Sequence, residues 1–454
     1  MSTHKLTESP PVWMDEGIIT QVAENIAING VHGIQVAPQK FVSAGFVTTS
    51  YVVTYPISLS FRSFGVGVLQ ARVVMVLFLF AFFVLVYFLT KQEITKTLAV
   101  YALLLLVSFA PIYGNGKNVL GEIPGLVFLF AGLLCLGMVE RGLRTVAPFL
   151  LAGLLLGLCV VTKPVFLLVL PALVIPLYFY HRTFLSRPMF VGYFVLAFCV
   201  PVLVWFWVQF SSDSFINILS IYANPHNTSL LGSMFVNLKR LIIEIQPMYF
   251  MVLLGIWAVS FVVRLRRKVH ISYVELVTFS FSVLIFLAYL RTVGYYRYFF
   301  LGQVFALMYF PLAFSTLLGG KIPKFAIGFI FTLLVVFQFY QTGFHSWVAS
   351  YYQGTRTREL TAYFKTQPPE QIFFLYQVPE VALFLPISTY FQYMKVTSTI
   401  LPGKEQLGKI REGLPDQIVI ISEQYDPKDV MFVKYREKRV VDRYTILEKG
   451  PESR

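Results

Sequence analysis

The sequence contains few charged residues. Asp, Glu, Lys and Arg make up 13% of its 454 positions, whereas hydrophobic residues make up 57%. A soluble protein of this composition would have too little polar surface to cover its core. Aromatic residues reach 17%, which fits long lipid-facing segments with rings at the membrane interface. The composition therefore excludes a soluble globular domain and indicates an integral membrane protein.

Cysteine is also scarce. The three cysteines, Cys135, Cys159 and Cys199, lie inside apolar runs, where cysteine packs as a small hydrophobic side chain. We expect neither a disulfide nor a metal site built on thiols. The sequence requires no cofactor, and a divalent cation with unknown ligands stays an alternative.

A nucleic-acid partner is not expected, because no domain interleaves basic and aromatic residues. The net charge of +14 instead indicates cationic cytoplasmic loops. Residues 1–65 lack an apolar stretch of about 20 residues, and the polar start Met1–Pro11 is not followed by the apolar core of a signal peptide. We expect residues 1–65 to form an extracytoplasmic catalytic loop, in which Ile18–Ile28 is an interfacial helix.

Residues 66–342 are predicted to be an α-helical transmembrane domain of about ten helices. Several of the apolar segments have closer to 16 than 20 residues, which predicts that one or two are broken or re-entrant. The segments are Val66–Leu89, Thr97–Ile112, Ile123–Val139, Val146–Val161, Val165–Tyr180, Val191–Phe210, Met248–Val263, Val274–Tyr289, Phe299–Leu318 and Phe325–Tyr340.

Lys and Arg concentrate in alternate loops, at residues 91–96, 141–144, 182–187, 264–268 and 321–324. The positive-inside rule assigns these loops to the cytoplasm. The protein is then a multi-pass protein of the plasma (inner) membrane, with residues 343–454 on the extracytoplasmic side. In that tail Ile372–Gln377 and Gln417–Ser422 read as strands and Glu405–Gly413 as a helix. We expect a small α/β domain that caps the membrane domain or binds the acceptor.

Three acids lie at the extracytoplasmic ends of predicted helices. Asp15 and Glu16 precede the interfacial helix, and Glu122 precedes Pro124 at the start of a span. A carboxylate here could act as a general base, and the alternative is helix capping. A carboxylate at the end of a span is costly when it faces lipid, which favours a cavity-facing Glu122.

Cations occur on the same predicted face, against the positive-inside trend. They are candidates for binding an anionic group, with phosphate the obvious choice beside lipid. The alternative for each is a side chain that extends to the interface as an anchor. The candidate substrate-binding residues are Lys117, Lys163, Arg291, Arg297 and the neighbouring Tyr298.

An ordered series of short motifs resembles the GT-C superfamily of membrane glycosyltransferases, in the branch similar to protein O-mannosyltransferases and the lipid A aminoarabinose transferase. The resemblance covers roughly residues 13 to 340. The motifs are Asp15-Glu16, Gly65-Val66-Gly67, Gln70-Ala71-Arg72, Gly121-Glu122-Ile123-Pro124, the segment from Gly153 to Lys163, and Arg297-Tyr298.

The resemblance implies a polyprenyl-phosphate-linked sugar as donor and transfer on the extracytoplasmic side. It makes Asp15 the catalytic acid-base residue and Glu122 a second acid that places the acceptor or a divalent cation. Lys163 and Arg297 would neutralise the departing phosphate. The sugar is not specified, and the acceptor, whether glycan, lipid or protein, stays open.

The chain departs from the family at two places. Similar members carry a transmembrane helix just before the acidic pair, whereas here only fourteen residues precede Asp15, which we interpret as a misplaced start codon or a truncation. The lysine-proline-proline pattern that aminoarabinose transferases carry downstream of the acidic pair is absent as well. Ser43-Ala44-Gly45 and Tyr55-Pro56 occupy that region, which argues against the aminoarabinose transferase itself. The rival hypotheses are a secondary transporter or lipid flippase, and a non-catalytic assembly subunit.

Overall fold

The structure, a computed structural model, describes residues 3–143, 145–184, 188–210, 216, 228–318, 323–346, 354–385, 389–396 and 401–450. Of the basic loops, residues 144, 185–187 and 321–322 and the side chains at 182, 183 and 324 lie outside this description. The N-terminal segment forms helix α1 (Met14–Asn29), an antiparallel hairpin of β1 (Gly33–Ala37) and β2 (Lys40–Ser43), and helix α2 (Tyr51–Phe64).

Helices of the membrane domain follow. They are α3 (Val68–Glu93), α4 (Lys96–Val107), α5 (Ala110–Lys117), α6 (Glu122–Glu140), α7 (Val146–Thr162), α8 (Val169–Phe184), α9 (Pro188–Phe210), α10 (Leu230–Ile243), α11 (Ile245–Arg266), α12 (Tyr273–Arg291), α13 (Phe300–Leu318) and α14 (Lys324–Phe344). Their buried core contains stacked aromatic rings, with centroids 5.0 Å apart for Phe130 and Phe305 and 4.7 Å apart for Trp257 and Tyr309.

Eight helices in the described part of the chain are long and apolar enough to cross a membrane. Two predicted spans differ from a simple long helix. The segment predicted at Thr97–Ile112 is the pair α4 and α5, bent by 61°. The bend lies just before Pro111, whose ring favours the first turn of a helix over its interior. Helix α7 is apolar but has only 17 residues.

The C-terminal tail contains α15 (Arg356–Lys365), β3 (Phe373–Tyr376), β4 (Tyr390–Tyr393), α16 (Leu407–Glu412), β5 (Gln417–Ile421), β6 (Tyr435–Val441) and β7 (Tyr444–Lys449). The sheet order is β4-β3-β5-β7-β6. Strands β4 and β5 run parallel to β3, whereas β7 runs antiparallel to β5 and β6. The predicted small α/β domain is confirmed.

This domain packs against the segment that carries the first acidic pair. The Glu8 carboxylate accepts hydrogen bonds from the amides of Thr357 at 3.1 Å and Arg358 at 3.0 Å, at the start of α15. Gly17 in α1 lies against the backbone of Glu380, so closely that a Cβ atom on Gly17 would be 2.3 Å from the Glu380 Cα atom. The C-terminal domain therefore fixes the position of α1.

A buried amide network joins α1 to β4. Gln392 donates to the Gln21 side chain at 3.0 Å and to the Gln35 carbonyl at 2.7 Å. Glu24, one helical turn after Gln21 in α1, is buried, and its Oε2 atom has no hydrogen-bond partner among the described residues. Burial raises the pKa of Glu24 to about 8. Glu24 is therefore protonated at neutral pH in the folded protein.

The buried Glu24 carboxyl should make the free energy of unfolding depend on pH. Between the ordinary pKa of 4.5 and about 8 the folded protein holds a proton that the unfolded chain releases. The stabilisation is present below about pH 4.5 and is lost as the pH rises through 8, with a slope of at most about 1.4 kcal/mol per pH unit. We expect Glu24→Gln to remove this slope. The measurement is the difference in unfolding midpoint between parent and variant from pH 6 to 8. A difference that does not change with pH would contradict the prediction.

Candidate functional site

Asp15 and Arg297 meet although 282 positions separate them in the sequence. Asp15 lies in the first turn of α1, and Arg297 lies in a single 3₁₀ turn, Tyr296–Tyr298, just before α13. The Arg297 Nη1 atom is 2.5 Å from the Asp15 Oδ2 atom, and both side chains are partly exposed. Burial opposes the charge on Arg297, but the Asp15 and Glu122 carboxylates raise its pKa above the ordinary value.

A second ion pair joins Glu122 and Lys163. The Lys163 Nζ atom is 2.5 Å from the Glu122 Oε1 atom, and the Glu122 side chain is 3% exposed. Helix ends bring the two together, since Glu122 begins α6 and Lys163 directly follows the last residue of α7. A Cβ atom on Gly121 would lie 3.2 Å from the Thr162 carbonyl oxygen, so the two ends are in direct contact.

The two ion pairs form one electrostatic cluster. Glu122 acts on the pKa of Arg297 even though its own hydrogen-bonded partner is Lys163. The second oxygen of Glu122, Oε2, is buried without a hydrogen-bond partner among the described residues. The four residues that the resemblance assigns to catalysis and phosphate binding therefore form two ion pairs that are coupled by the charge of Glu122, and Glu122 Oε2 has no hydrogen-bond partner among the described residues.

Aromatic rings surround Arg297. Its guanidinium carbon lies 5.2 Å from the ring centroid of Trp13, 5.5 Å from that of Tyr298 and 5.7 Å from that of Tyr295. Such contacts stabilise a cation by about 0.5–2 kcal/mol, more when it is desolvated. Burial raises the pKa of the Tyr298 hydroxyl, which keeps it neutral and able to donate a hydrogen bond. The predicted residue Tyr298 thus lies in the cluster.

Glu16 turns away from this cluster toward Arg72. Arg72 binds it through two hydrogen bonds, at 2.8 Å and 2.6 Å, and the backbone amide of Val119 donates a third at 3.2 Å. Arg72 also donates to the carbonyls of Leu6 and Pro10, both at 2.7 Å, and both side chains of the pair are buried. This geometry gives Glu16 a structural task, and the catalytic role stays a prediction.

Two of the predicted substrate-binding cations, Lys117 and Arg291, have surroundings that differ from those of Lys163 and Arg297. Lys117 is 1% exposed, and its Nζ atom donates to the carbonyls of His4 at 2.8 Å and Ser9 at 3.2 Å. Arg291 is exposed in the last turn of α12. The described contacts join neither side chain to the two ion pairs, so their substrate-binding roles stay predictions.

Metal ligation has no obvious ligand set within the described ranges. No group of three or more His, Cys, Asp or Glu side chains there could hold an ion. The described residues therefore do not fit a metal site formed by three or more of these side chains. Glu122, whose Oε2 atom has no hydrogen-bond partner among the described residues, is the acid that the resemblance implies would place the acceptor or a divalent cation.

The family model described as dolichyl-phosphate-mannose-protein mannosyltransferase matches residues 49–205. No curated protein sequence matches the chain. Among solved structures, ArnT from Cupriavidus metallidurans in the apo state has a TM-score of 0.68 at 14% identity, covering 100% of this chain and 96% of that one. The same protein bound to undecaprenyl phosphate has a TM-score of 0.65 at 12% identity, with 100% and 95% covered.

An archaeal oligosaccharyltransferase is also similar. AglB from Archaeoglobus fulgidus, in complex with an inhibitory peptide and a dolichol-phosphate, has a TM-score of 0.54 at 11% identity, covering 93% of this chain and 67% of that one. At these identities the likenesses show a shared fold. The fold is shared over the full length with ArnT, so it includes the C-terminal domain as well as the membrane helices.

Proposed function

We propose that this chain, a polytopic membrane protein with the GT-C glycosyltransferase fold, transfers a sugar from a polyprenyl-phosphate-linked donor to an acceptor at the extracytoplasmic membrane face. The observation that carries the proposal is the cluster in which two carboxylates, Asp15 and Glu122, pair with two cations, Arg297 and Lys163. The similar ArnT and AglB structures hold undecaprenyl phosphate and dolichol-phosphate, which supports a lipid-phosphate donor.

The chemistry assigns each charge a task. An acceptor hydroxyl attacks the anomeric carbon of the sugar, and Asp15 takes the hydroxyl proton as the new glycosidic bond forms. The bond from the anomeric carbon to the phosphate oxygen breaks, and its electron pair leaves with the polyprenyl phosphate. Arg297 and Lys163 stabilise the negative charge that develops on this leaving group. Glu122 orients the acceptor or the sugar through its unpaired oxygen.

Both cations are paired with carboxylates before a donor arrives, and this pairing has a consequence for the reaction. The donor phosphate is a diester whose single negative charge is shared by two oxygens, so it can replace Asp15 at Arg297 and Glu122 at Lys163 as an equally charged acceptor. When Arg297 turns to the phosphate, Asp15 loses its partner and can accept a proton. Donor binding therefore frees Asp15 to act on the acceptor hydroxyl.

The cations supply the test of the proposal. We expect Arg297→Ala and Lys163→Ala each to weaken use of a polyprenyl-phosphate donor by roughly 10- to 150-fold, because each removes a charge-assisted contact of about 1.5–3 kcal/mol. The measurement is transfer and donor affinity in purified protein. Lys239→Ala, which removes an exposed cation of α10, is the matched control.

If neither substitution changes donor use while the proteins insert normally, the two cations are interfacial anchors and the phosphate site is elsewhere. A loss that also occurs in the Lys239→Ala control would show that total charge, and not these positions, determines donor use.

Cysteine labelling tests the predicted orientation of the protein in the membrane. In a variant without the native cysteines, a cysteine at exposed Lys404 should react with an impermeant thiol reagent from outside. A cysteine at exposed Lys91 or Arg266 should react only after the membrane is opened. The expectation follows from the positive-inside distribution of the loops. Inverted labelling would place the site in the cytoplasm and overturn extracytoplasmic transfer.

A further inference from the structure

Residues 292–296 connect α12 to the turn that carries Arg297, and a side chain from α10 holds this connection. Asn237 is fully buried. Its Nδ2 atom donates to the carbonyls of Tyr289 and Leu290, each at 3.1 Å, and of Thr292 at 2.7 Å. The first two carbonyls belong to the last turn of α12, where the Tyr289 carbonyl also accepts the Thr292 amide at 3.1 Å and the Thr292 hydroxyl at 2.9 Å. One amide thus fixes the point where the chain leaves α12.

Arg240, one turn further along α10, holds the next part of the connection. Its Nη1 atom donates to the carbonyl of Gly294 at 2.6 Å and to that of Val293 at 3.3 Å. Its Nε atom donates to Glu244 at 2.8 Å, and Glu244 accepts the Tyr296 hydroxyl at 2.7 Å. These contacts extend to the residue directly before Arg297.

Gly294 shows how closely the connection fits α10. Its φ of +78° lies in the region that favours glycine. A Cβ atom there would be 2.1 Å from the Arg240 Nη1 atom and 2.3 Å from the Asn237 Oδ1 atom. The connection therefore packs backbone against the two side chains, with no room for a shift toward α10.

The opposite side of α10 is apolar and exposed. Leu231, Phe235, Leu238 and Ile242 follow the spacing of one helical face. Helix α10 ends at Ile243 and the spanning helix α11 begins at Ile245, so this face lies beside the membrane end of α11. A face of this kind, continuous with a span, is suited to the lipid interface.

We propose that Asn237 and Arg240 are positioning residues that fix Arg297 for the donor phosphate, from a helix whose apolar face lies in the lipid interface. The inference rests on the proposed function. Arg297 is useful only if its guanidinium can turn from Asp15 to the phosphate, and misplacement by about 1 Å can cost up to 10²-fold in rate. The membrane surface thereby sets the depth of the cation that meets a lipid-borne phosphate.

The test uses the full-length protein in detergent and undecaprenyl phosphate as the probe. We expect Asn237→Ala and Arg240→Gln each to weaken probe binding by about tenfold and to accelerate amide hydrogen exchange across residues 292–298. Arg240→Lys, which keeps the charge, should recover part of the loss. Lys239→Gln is the matched control, because it removes the adjacent exposed cation of the same helix.

A double-mutant cycle separates positioning from general stability. In an Arg297→Ala background, Asn237→Ala should weaken probe binding by less than twofold, because it acts through Arg297. Equal losses in both backgrounds, or unchanged hydrogen exchange at residues 292–298 in a folded Asn237→Ala or Arg240→Gln protein, would overturn the inference. Failure of the parent protein to bind the probe would instead overturn the proposed function, and the donor part of this inference with it.

Discussion

Replacing Asp15 by Asn is expected to slow sugar transfer by roughly 10²- to 10⁴-fold while donor binding is nearly retained. The amide keeps the size of the side chain and can still accept a hydrogen bond from Arg297, which lies 2.5 Å from the carboxylate in the parent protein. It cannot take the proton of an acceptor hydroxyl. The measurement is single-turnover transfer at saturating donor, together with the affinity for polyprenyl phosphate.

Glu16→Gln is the comparison for this experiment, because it changes the adjacent carboxylate in the same way. The Glu16 carboxylate binds buried Arg72, so we expect Glu16→Gln to lower thermal stability and to change transfer per folded molecule much less. Transfer at the parent rate by Asp15→Asn would remove Asp15 as the base. Glu122 would then be the next candidate, with the assembly-subunit hypothesis still open.

The predicted resemblance to the GT-C superfamily is confirmed, and so is the predicted class of a polytopic helical membrane protein with a small C-terminal α/β domain. Apolar runs could be found from sequence because lipid requires them to be long and nearly free of charge. The bend between α4 and α5 is harder to predict, because the break is only the two residues Ser108 and Phe109 and Pro111 is its main marker. The predicted boundaries at residues 65 and 342 stay predictions.

The acids and cations of the site could be selected because cations on that predicted face oppose the positive-inside trend and a carboxylate at the end of a span is costly when it faces lipid. Their partners could not, since Asp15 and Arg297 or Glu122 and Lys163 meet only through tertiary packing. Arg72 has no role of its own in the sequence prediction beyond its motif, although a charge so near the start of an apolar span is itself a signal. Asn237 carries no such signal, because a single amide in an amphipathic helix reads as an ordinary polar position.

Replacing Arg72 by Met is expected to lower the free energy of unfolding by about 3–5 kcal/mol, because Glu16 would be left as an unpaired buried charge. Arg72 also binds the carbonyls of Leu6 and Pro10, so its loss frees the segment that leads into α1. The measurement is the unfolding midpoint in detergent. Arg62→Met, which removes an exposed arginine that binds the carbonyls of Ile26 and Ala27, is the control.

Removing both partners of the pair distinguishes charge burial from packing. In the double variant Arg72→Met with Glu16→Met no buried charge is left unpaired, so most of the lost stability should return, although the two carbonyls stay without a donor. The Asp15–Arg297 pair would still be displaced, since Arg72 no longer joins α3 to Glu16 in α1 and Glu16 no longer accepts the Val119 amide. A double variant that is stable yet slow in transfer would show that this buried pair serves the site through position. An Arg72→Met protein as stable as the parent would exclude the pair as a determinant of the fold.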